Sequence, residues 1–211
     1  AAADLVIRRG GFGDTLLMLP VLAALRRASP GAALHFAGTG EFAAVLEHFG
    51  VVDRALSAES LLLWALALDD ARGATARERL AAYRTIVADD PAVLAVGNGI
   101  GAVRVYSPKP ARDDVPLALQ LGAALGLEVD LADARLVLRR RPVASGEVAL
   151  MPGSGGREKC WPCERWLELA RVLAMAGTPS LVVVGPTEIE RDDPRRWPWP
   201  AGTVFAAELS A

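Results

Sequence analysis

The sequence predicts an α/β chain made of two Rossmann-like halves. Short apolar segments alternate with helical stretches along the chain, and this alternation starts afresh after a basic, proline-containing segment near residue 142. Each half also opens in the same order, with an apolar strand, a glycine-rich turn and then a helix. Strands that alternate with helices normally form parallel sheets, so we expect one parallel sheet in each half.

The first half begins with a strand, a helix and a second strand. Leu5–Ile7 is an apolar strand, residues 16–25 have apolar side chains at helical spacing, and Ala33–Phe36 is the second strand. Pro20 lies either within the first helix or between two pieces of it. Glu41–Phe49 is predicted as the next helix.

The remainder of the first half is rich in alanine and leucine. Its long segment Glu59–Tyr83 is predicted to be helical from composition and period. Three short apolar segments are candidate strands, and one further helix follows them: Ile86–Val87, Val93–Val96 and Val103–Tyr106 for the strands, and Val115–Leu125 for the helix.

The second half repeats the strand and helix order. Leu136–Leu138 is predicted as a strand that runs into the basic linker, which places the domain boundary between residues 142 and 143. After the linker we expect three strands, one helix and a surface loop: strands Val148–Met151, Leu181–Val184 and Thr203–Phe205, helix Glu164–Ala176 and loop Asp192–Pro200.

Composition and charge narrow the class of protein. The 211 residues are 52% hydrophobic and 23% charged, as is typical of a globular chain. The formal net charge of -2 lacks the strongly basic signature of nucleic-acid-binding domains, so no nucleic-acid partner is expected. The apolar run Leu5–Ile7 is too short for a signal peptide or a membrane span, which predicts a cytoplasmic protein.

A glycine-rich turn at residues 10–15 is the first candidate site. It lies between a predicted strand and a helix N-terminus, where glycines permit a sharp turn and free backbone N–H groups favour an anion. The spacing is not the dinucleotide-binding GxGxxG, and the lysine of a phosphate-binding loop is missing. From local chemistry alone, Asp14 is either a functional carboxylate or simply an N-terminal cap.

Residues 151–162 form a second candidate site. Small residues follow a strand, and a hydroxyl at Ser154 and an ammonium at Lys159 precede a helix, which together make a plausible cradle for a diphosphate. The alternative interpretation is a flexible turn with a solvated lysine. Only a resemblance beyond this local chemistry separates the two.

The cysteines and histidines raise two alternatives to the candidate sites above, a thiol oxidoreductase and a zinc site. Cys160 and Cys163 form a CxxC at a predicted helix N-terminus, as in a thiol oxidoreductase, but they give no long-range disulfide framework. A structural zinc site is not expected, since the second pair of ligands is missing and His35 and His48 lie far upstream in structural positions. No Asp-x-Asp pair occurs, which disfavours a metal-dependent sugar transfer.

Three segments resemble a known family of enzymes. The string from Val6 to Pro20 contains a Gly-Asp-x-Leu turn followed by Leu-Pro, and residues 152–166 read Pro-Gly-Ser-x-x-x-x-Lys-x-Trp-Pro-x-x-x-Trp. Residues 182–188 add Val-Val-Val-Gly-Pro-Thr-Glu. In this order they are similar to glycosyltransferase family 9, the lipopolysaccharide heptosyltransferase family.

The resemblance implies a fold and an activity. The fold would be of the GT-B type, with an acceptor domain at residues 1–142 and an incomplete donor domain at residues 143–211, because the family's later Asp-Ser-Gly-Pro-x-His segment is not found. The activity would be the inverting, metal-independent transfer of a sugar, with ADP-heptose as the expected donor and a lipopolysaccharide core or related glycan as acceptor. No cofactor is expected, and the location would be cytoplasmic, with peripheral contact at the inner membrane.

The resemblance also assigns roles to particular residues. Asp14 would be the catalytic base, and Gly11 and Gly13 would shape its loop on the acceptor side. Ser154, Gly155 and Lys159 would face the donor diphosphate, and Glu188 would bind ribose hydroxyls, with Glu190 as a neighbouring alternative. Trp161 and Trp166 would pack and fix the loop.

Two other functions remain open from the sequence. A non-catalytic nucleotide-binding module would share the glycine turns without needing Asp14. A CxxC oxidoreductase would need a reactive thiol at Cys160 or Cys163.

Overall fold

The chain divides into two compact units, one ending at residue 139 and the other beginning at residue 140. The computed structural model describes residues 3–96, 102–135, 146–154 and 156–207. The predicted boundary between residues 142 and 143 and the predicted strand Leu136–Leu138 lie outside these described residues.

A five-stranded parallel sheet forms the centre of the first unit. Its strands are β1 (Ala3–Ile7), β2 (Ala33–Gly38), β3 (Arg54–Ser57), β4 (Tyr83–Ala88) and β5 (Ala102–Val105), in the spatial order β3-β2-β1-β4-β5. Each neighbouring pair is parallel. The chain therefore runs outward from β1 to β3 and then returns to the other side of β1, which creates a switch point between β1 and β4.

Helices connect the strands of the first unit. They are α1 (Phe12–Leu16), α2 (Leu19–Ala28), α3 (Gly40–His48), α4 (Ala71–Ala81) and α5 (Leu117–Leu125). Pro20 lies in the first turn of α2, where its missing N–H costs no helical hydrogen bond, so the chain breaks into α1 and α2 just before it.

The first sheet is covered on both faces by apolar side chains. Val6 of β1 packs with Leu22 and Leu121 on one face, whereas Leu5 and Ile7 pack with residues of α4 on the other. Alternate residues of a strand point to opposite faces, so a strand covered on both sides is mainly apolar, and the one charged residue of β1, Asp4, is paired with Arg84. This is why β1 is fully buried along its whole length.

Two predicted segments of the first unit fold differently, and the strand β3 was not predicted from the sequence. Glu59–Tyr83 is not one helix: it forms two 3₁₀ turns, the helix α4 and the start of β4, with Leu62 in the left-handed region at φ 54°. The Asp70 side chain accepts hydrogen bonds from two backbone N–H groups and so caps α4 there. Composition alone favoured a helix, and local caps divided it.

The predicted strand Val93–Val96 is also wrong. The segment Pro91–Val96 is a 3₁₀ turn. Proline fixes its own φ and lacks an N–H, and the Asp90 carboxylate accepts a hydrogen bond from Ala92 N at 2.9 Å, so a turn begins immediately after β4.

The second unit contains a three-stranded parallel sheet among its described residues. The strands β6 (Val148–Leu150), β7 (Ser180–Val184) and β8 (Val204–Ala207) lie side by side in that order, with helices α6 (Cys163–Met175) and α7 (Pro186–Asp192) between them in sequence. The predicted α/β class with a parallel sheet in each half is therefore confirmed.

The predicted surface loop Asp192–Pro200 is more ordered than expected. It contains the end of α7 and a 3₁₀ turn at Pro194–Arg196, and Trp199 Nε1 donates a hydrogen bond to the Pro194 carbonyl at 2.7 Å. Trp199 also packs against the apolar core of the second unit. Across the described ranges, no helix has both the length and the apolarity needed to cross a membrane.

Candidate functional site

The first candidate site lies where β1 and β4 end, at the switch point of the five-stranded sheet. Parallel strands end at the same edge of a sheet, so the residues that follow β1 and β4 come together there: Arg8 and Arg9 after β1, and Asp89 and Asp90 after β4. Ligands of open α/β sheets bind in the crevice outside the carboxyl ends of the strands at such a point.

The carboxylate of Asp14 is held by two donors at this edge. Arg8 Nη2 donates to Oδ1 at 2.7 Å, and the backbone N–H of Gly11 donates to Oδ2 at 3.0 Å. The second contact is that of an acidic residue at the third helical position reaching back to the N-cap. Asp14 is therefore a cap and an ion-pair partner at once, and 41% of its side chain stays exposed.

Gly10 gives the Asp14 carboxylate its space. Its φ of +152° lies in the region that glycine favours, and a Cβ placed there would meet Asp14 Oδ2 at 2.6 Å. The Gly10 N–H donates to Thr39 Oγ1 at 3.2 Å, which ties the turn to the residue that follows β2. Both the backbone conformation and the close approach of Asp14 therefore favour glycine at position 10.

The two glycines predicted as loop residues have different surroundings. Gly11 supplies the N–H that binds Asp14, whereas a Cβ at Gly13 would meet no atom within 4 Å. Gly13 lines an apolar groove of about 520 Å³ together with residues of α1, α2 and α5. The groove therefore begins immediately beside Asp14.

Arg8 and Asp89 form a buried pair behind Asp14, and neither is predicted as a site residue from the sequence. Their side chains are only 4% and 6% exposed, and Arg8 Nη1 lies 3.9 Å from Asp89 Oδ2. The Arg9 N–H donates to Asp89 Oδ2 at 3.1 Å. Burial raises the pKa of the Asp89 carboxyl, and the hydrogen bond from Arg9 and the charge of Arg8 partly oppose this.

Tyr106 lies next to the Arg8 and Asp89 pair in the interior of the first unit. It follows β5, is almost fully buried, and its hydroxyl donates to the Ile7 carbonyl at 3.2 Å. Burial raises the pKa of the Tyr106 phenol, and the nearby Asp89 carboxylate raises it further. The phenol therefore stays protonated and keeps the end of β1 in place.

The second candidate site lies within the second unit, at the ends of β6 and β7. A cavity of about 240 Å³ there is lined by Pro152, Gly153, Ser154, Arg157, Cys160, Trp161, Cys163, Glu188, Arg191, Asp192, Pro194 and Trp197. The predicted residues Ser154 and Glu188 are thus brought together, although they are far apart in sequence. The predicted residue Gly155 lies outside the described residues.

Glu188 occupies the same kind of position as Asp14. It is the third residue of α7, and its Oε2 accepts a hydrogen bond from the Gly185 N–H at 3.0 Å. A Cβ at Gly153 would overlap the Glu188 carboxyl group, so a larger residue at 153 would require this side chain to move. Glu190, the neighbouring alternative, is exposed and does not line the cavity.

Lys159 lies beside this cavity but is not one of its lining residues. It is the exposed last residue of the 3₁₀ turn Arg157–Lys159, and Arg157 at the other end of that turn lines the cavity instead. The sequence predicted a cation on this turn, but only the geometry of the turn shows that Arg157, and not Lys159, lines the cavity.

The two tryptophans of this segment contact each other. Trp161 and Trp166 lie edge to face with ring centroids 5.5 Å apart. Trp166 packs against the core of the second unit, while Trp161 is 52% exposed and lines the cavity. Trp161 is therefore partly exposed at the cavity, while Trp166 anchors the segment to the core.

The cysteines also line this cavity as free thiols. Cys163 is the first residue of α6, a position at which a helix favours the thiolate, yet burial and the Glu164 carboxylate raise the pKa of the Cys163 thiol. Within the described ranges, no three His, Cys, Asp or Glu side chains are grouped so that they could hold a metal ion.

The two predicted structural histidines take part in other contacts of the first unit. His35 is in β2, and its Nδ1 lies 3.1 Å from the Tyr83 hydroxyl. His48 ends α3 and packs edge to face on Phe49. Burial lowers the pKa of His35, with the Arg54 guanidinium as the next contribution, so the ring is held neutral.

Solved glycosyltransferases have this fold. The chain is similar over 99% of its length to Escherichia coli heptosyltransferase WaaC with ADP-2-deoxy-2-fluoro heptose, with 21% identity, a TM-score of 0.68 and 77% of that chain covered. It is similar over 98% of its length to a family 9 glycosyl transferase from Veillonella parvula, with 14% identity, a TM-score of 0.69 and 70% of that chain covered.

A third solved structure, E. coli ADP-heptose lps heptosyltransferase II, matches 89% of this chain at 17% identity and a TM-score of 0.54, with 66% of that chain covered. Neither a family model nor a curated protein matches the sequence. The fold predicted from the resemblance, that of the GT-B type heptosyltransferases, is therefore confirmed.

Proposed function

We propose that this chain belongs to the heptosyltransferase family and transfers a sugar from a nucleotide diphosphate donor to a glycan acceptor, with inversion and without a metal ion. The observation that carries the proposal is the Asp14 carboxylate, which is held by Arg8 and Gly11 yet remains 41% exposed at the switch point of the sheet. A partly exposed carboxylate at this place suits a general base.

The proposed reaction is a single displacement. An acceptor hydroxyl oxygen attacks the anomeric carbon of the donor sugar and forms the new glycosidic bond while its proton passes to Asp14. The bond from that carbon to the diphosphate oxygen breaks, and the nucleoside diphosphate leaves with the electron pair. One attack from the face opposite the leaving group inverts the configuration.

The second unit is the proposed donor site. Its cavity brings the Ser154 hydroxyl, the Arg157 guanidinium and the Glu188 carboxylate together with the ring of Trp161. A hydroxyl and cations suit a diphosphate, and a carboxylate suits ribose hydroxyls. Lys159, on the same turn as Arg157, remains a proposed diphosphate ligand from the resemblance, and such cations would stabilise the leaving group in place of a metal ion.

ADP-heptose is the proposed donor, and a lipopolysaccharide core or related glycan is the proposed acceptor. The solved structures with this fold include WaaC with ADP and with an ADP-heptose analogue. The corresponding location would be the cytoplasm, with peripheral contact at the inner membrane where a lipid-linked acceptor is found.

The two alternative functions make different demands. A thiol oxidoreductase needs a stabilised thiolate, and Cys163 does not supply one, because burial raises the pKa of its thiol. A nucleotide-binding module without catalysis has no need for a buried arginine that holds Asp14. Of the three functions, sugar transfer alone uses both candidate sites.

Incubation with ADP-heptose and a heptose-deficient lipopolysaccharide tests the proposal. We expect release of ADP together with a mass gain of one heptose on the acceptor, unaffected by EDTA. UDP- and GDP-sugars serve as donor controls. Binding of ADP without transfer would favour the non-catalytic module, and no binding of any nucleotide would exclude all nucleotide-dependent functions.

A further inference from the structure

We infer that Arg8 is the positioning residue of the proposed base and that Asp89 is the counter-charge that makes this possible. The inference rests on the proposed function, because it concerns how Asp14 is held for proton transfer. Arg8 Nη2 lies 2.7 Å from Asp14 Oδ1, and Arg8 Nη1 lies 3.9 Å from Asp89 Oδ2. The three side chains form a row from the buried interior to the exposed edge of the sheet.

Burial decides which of these groups is able to touch a substrate. The side chains of Arg8 and Asp89 are 4% and 6% exposed, whereas that of Asp14 is 41% exposed. A substrate therefore reaches Asp14 alone. Arg8 and Asp89 act on the reaction only through the position and charge of Asp14.

The hydrogen bonds of Arg8 show that Asp14 is its partner. Its Nη2 donates to Asp14, while Nε and Nη1 are buried and have no hydrogen-bond partner among the described residues. One oxygen of Asp89, Oδ1, is likewise buried without a partner there. A guanidinium that served only to pair with Asp89 would dock on it with two parallel hydrogen bonds, as arginine does with carboxylates.

The arrangement has a consequence for proton transfer. When Asp14 accepts a proton it becomes neutral, and its attraction to the Arg8 guanidinium weakens. A buried guanidinium left without a counter-charge is costly. Asp89, 3.9 Å away on the other side, supplies that charge, so Arg8 stays in place and Asp14 returns to the same position after it loses the proton.

The other groups around this row do not supply the same charge. Arg9 pairs with Asp90 at 2.7 Å and donates only its backbone N–H to Asp89. Tyr106 donates its hydroxyl to a backbone carbonyl and stays protonated. Asp89 is therefore the carboxylate that balances Arg8 from the buried side.

Kinetics of charge-balanced variants test the inference with ADP-heptose and heptose-deficient lipopolysaccharide. Arg8→Met alone leaves Asp89 buried and unpaired and risks misfolding, so the main variant is the double substitution Arg8→Met with Asp89→Asn. We expect kcat to fall on the order of 10²-fold, the loss typical of a misplaced catalytic group, with the donor KM within about twofold of wild type. The single substitution Arg8→Lys, which keeps the positive charge, should give a kcat about tenfold higher than that of the double variant.

The matched control is the ion pair between Asp4 and Arg84. It joins the same two strands, β1 and β4, at their opposite ends, with Arg84 Nη2 2.6 Å from a buried Asp4 carboxylate. The double substitution Asp4→Asn with Arg84→Met should lower the unfolding temperature but leave kcat unchanged.

The outcomes separate the two proposals. If wild type transfers sugar and a folded Arg8→Met, Asp89→Asn variant keeps at least half of the wild-type kcat, the positioning role is overturned. An equal loss of kcat in the Asp4 and Arg84 control would assign the effect to general destabilisation and would also overturn it. If wild type itself transfers nothing, the proposed function fails and the inference fails with it.

Discussion

The Asp14 carboxylate and the Arg8 guanidinium lie 2.7 Å apart, one exposed and one buried, on either side of the turn that follows β1. Arg8 immediately follows β1 and Asp14 lies in the first turn of α1, so the chain folds back within six residues to close this contact. The contact fixes where the Asp14 carboxylate lies before any substrate binds. Four predictions concern this turn, its buried neighbour and the cavity of the second unit.

Replacing Asp14 with asparagine should abolish transfer with little effect on donor binding. Asparagine keeps one acceptor oxygen, for either Arg8 or Gly11, and is unable to take the proton of the acceptor hydroxyl. General bases contribute about 10²–10⁴-fold to rate. Initial rates and calorimetry with ADP measure the two effects. Asp114→Asn, which removes an exposed carboxylate paired with Arg112, is the control. Wild-type turnover in the Asp14 variant would mean that Asp14 is only a cap.

Gly10→Ala should destabilise the first unit by about 1–3 kcal/mol, the range for backbone forced into a sparsely populated region. The added Cβ would also meet Asp14 Oδ2 at 2.6 Å, so transfer should fall as well. Urea unfolding and initial rates give the two values. Gly31→Ala, at φ +85° with no atom within 4 Å of its Cβ, should lose stability without losing transfer. Equal effects of both variants on transfer would contradict the close approach at Gly10.

Asp89→Asn should make the protein less sensitive to pH. Burial raises the pKa of Asp89 above its unfolded value, so the folded state binds the proton more tightly than the unfolded state. This contribution favours folding below the unfolded pKa and is lost as pH rises through the raised folded pKa. Thermal melts measured from acidic to neutral pH should therefore show the unfolding temperature of the variant rising relative to that of wild type as pH increases. A constant difference between the two would contradict the raised pKa of Asp89.

Lys159→Ala should weaken ADP binding by about 1.5–3 kcal/mol, the range for hydrogen bonds to charged groups. Arg165→Ala, which removes a neighbouring exposed cation paired with Glu168, is the matched control for the change in net charge. Calorimetry with ADP measures the difference. Since Arg157 lines the cavity and Lys159 does not, Arg157→Ala is measured beside it. Loss of affinity in the Arg157 variant alone would transfer the proposed role from Lys159 to Arg157.

The alternation of apolar strands and helices determined the α/β class and most strand positions from the sequence alone. Buried parallel strands are mainly apolar, so β1, β2 and β7 can be recognised as short apolar segments in the sequence. The errors fell where local hydrogen bonds override composition. Asp70 and Asp90 cap turns that divide a predicted helix and replace a predicted strand.

Glycines next to a strand end marked the two turns that carry Asp14 and Ser154, and the resemblance to the glycosyltransferase family assigned roles to these residues and to Glu188. Arg8 and Asp89 were not predicted, since 80 residues separate the segments that follow β1 and β4 and only strand order brings them together. The direction of Lys159 and Arg157 also required the tertiary structure, because both are cations on one turn. Sequence thus determined which residue types stand at the strand ends, and packing of the sheet decided which of their charges meet, because a buried charge is stable only beside its partner.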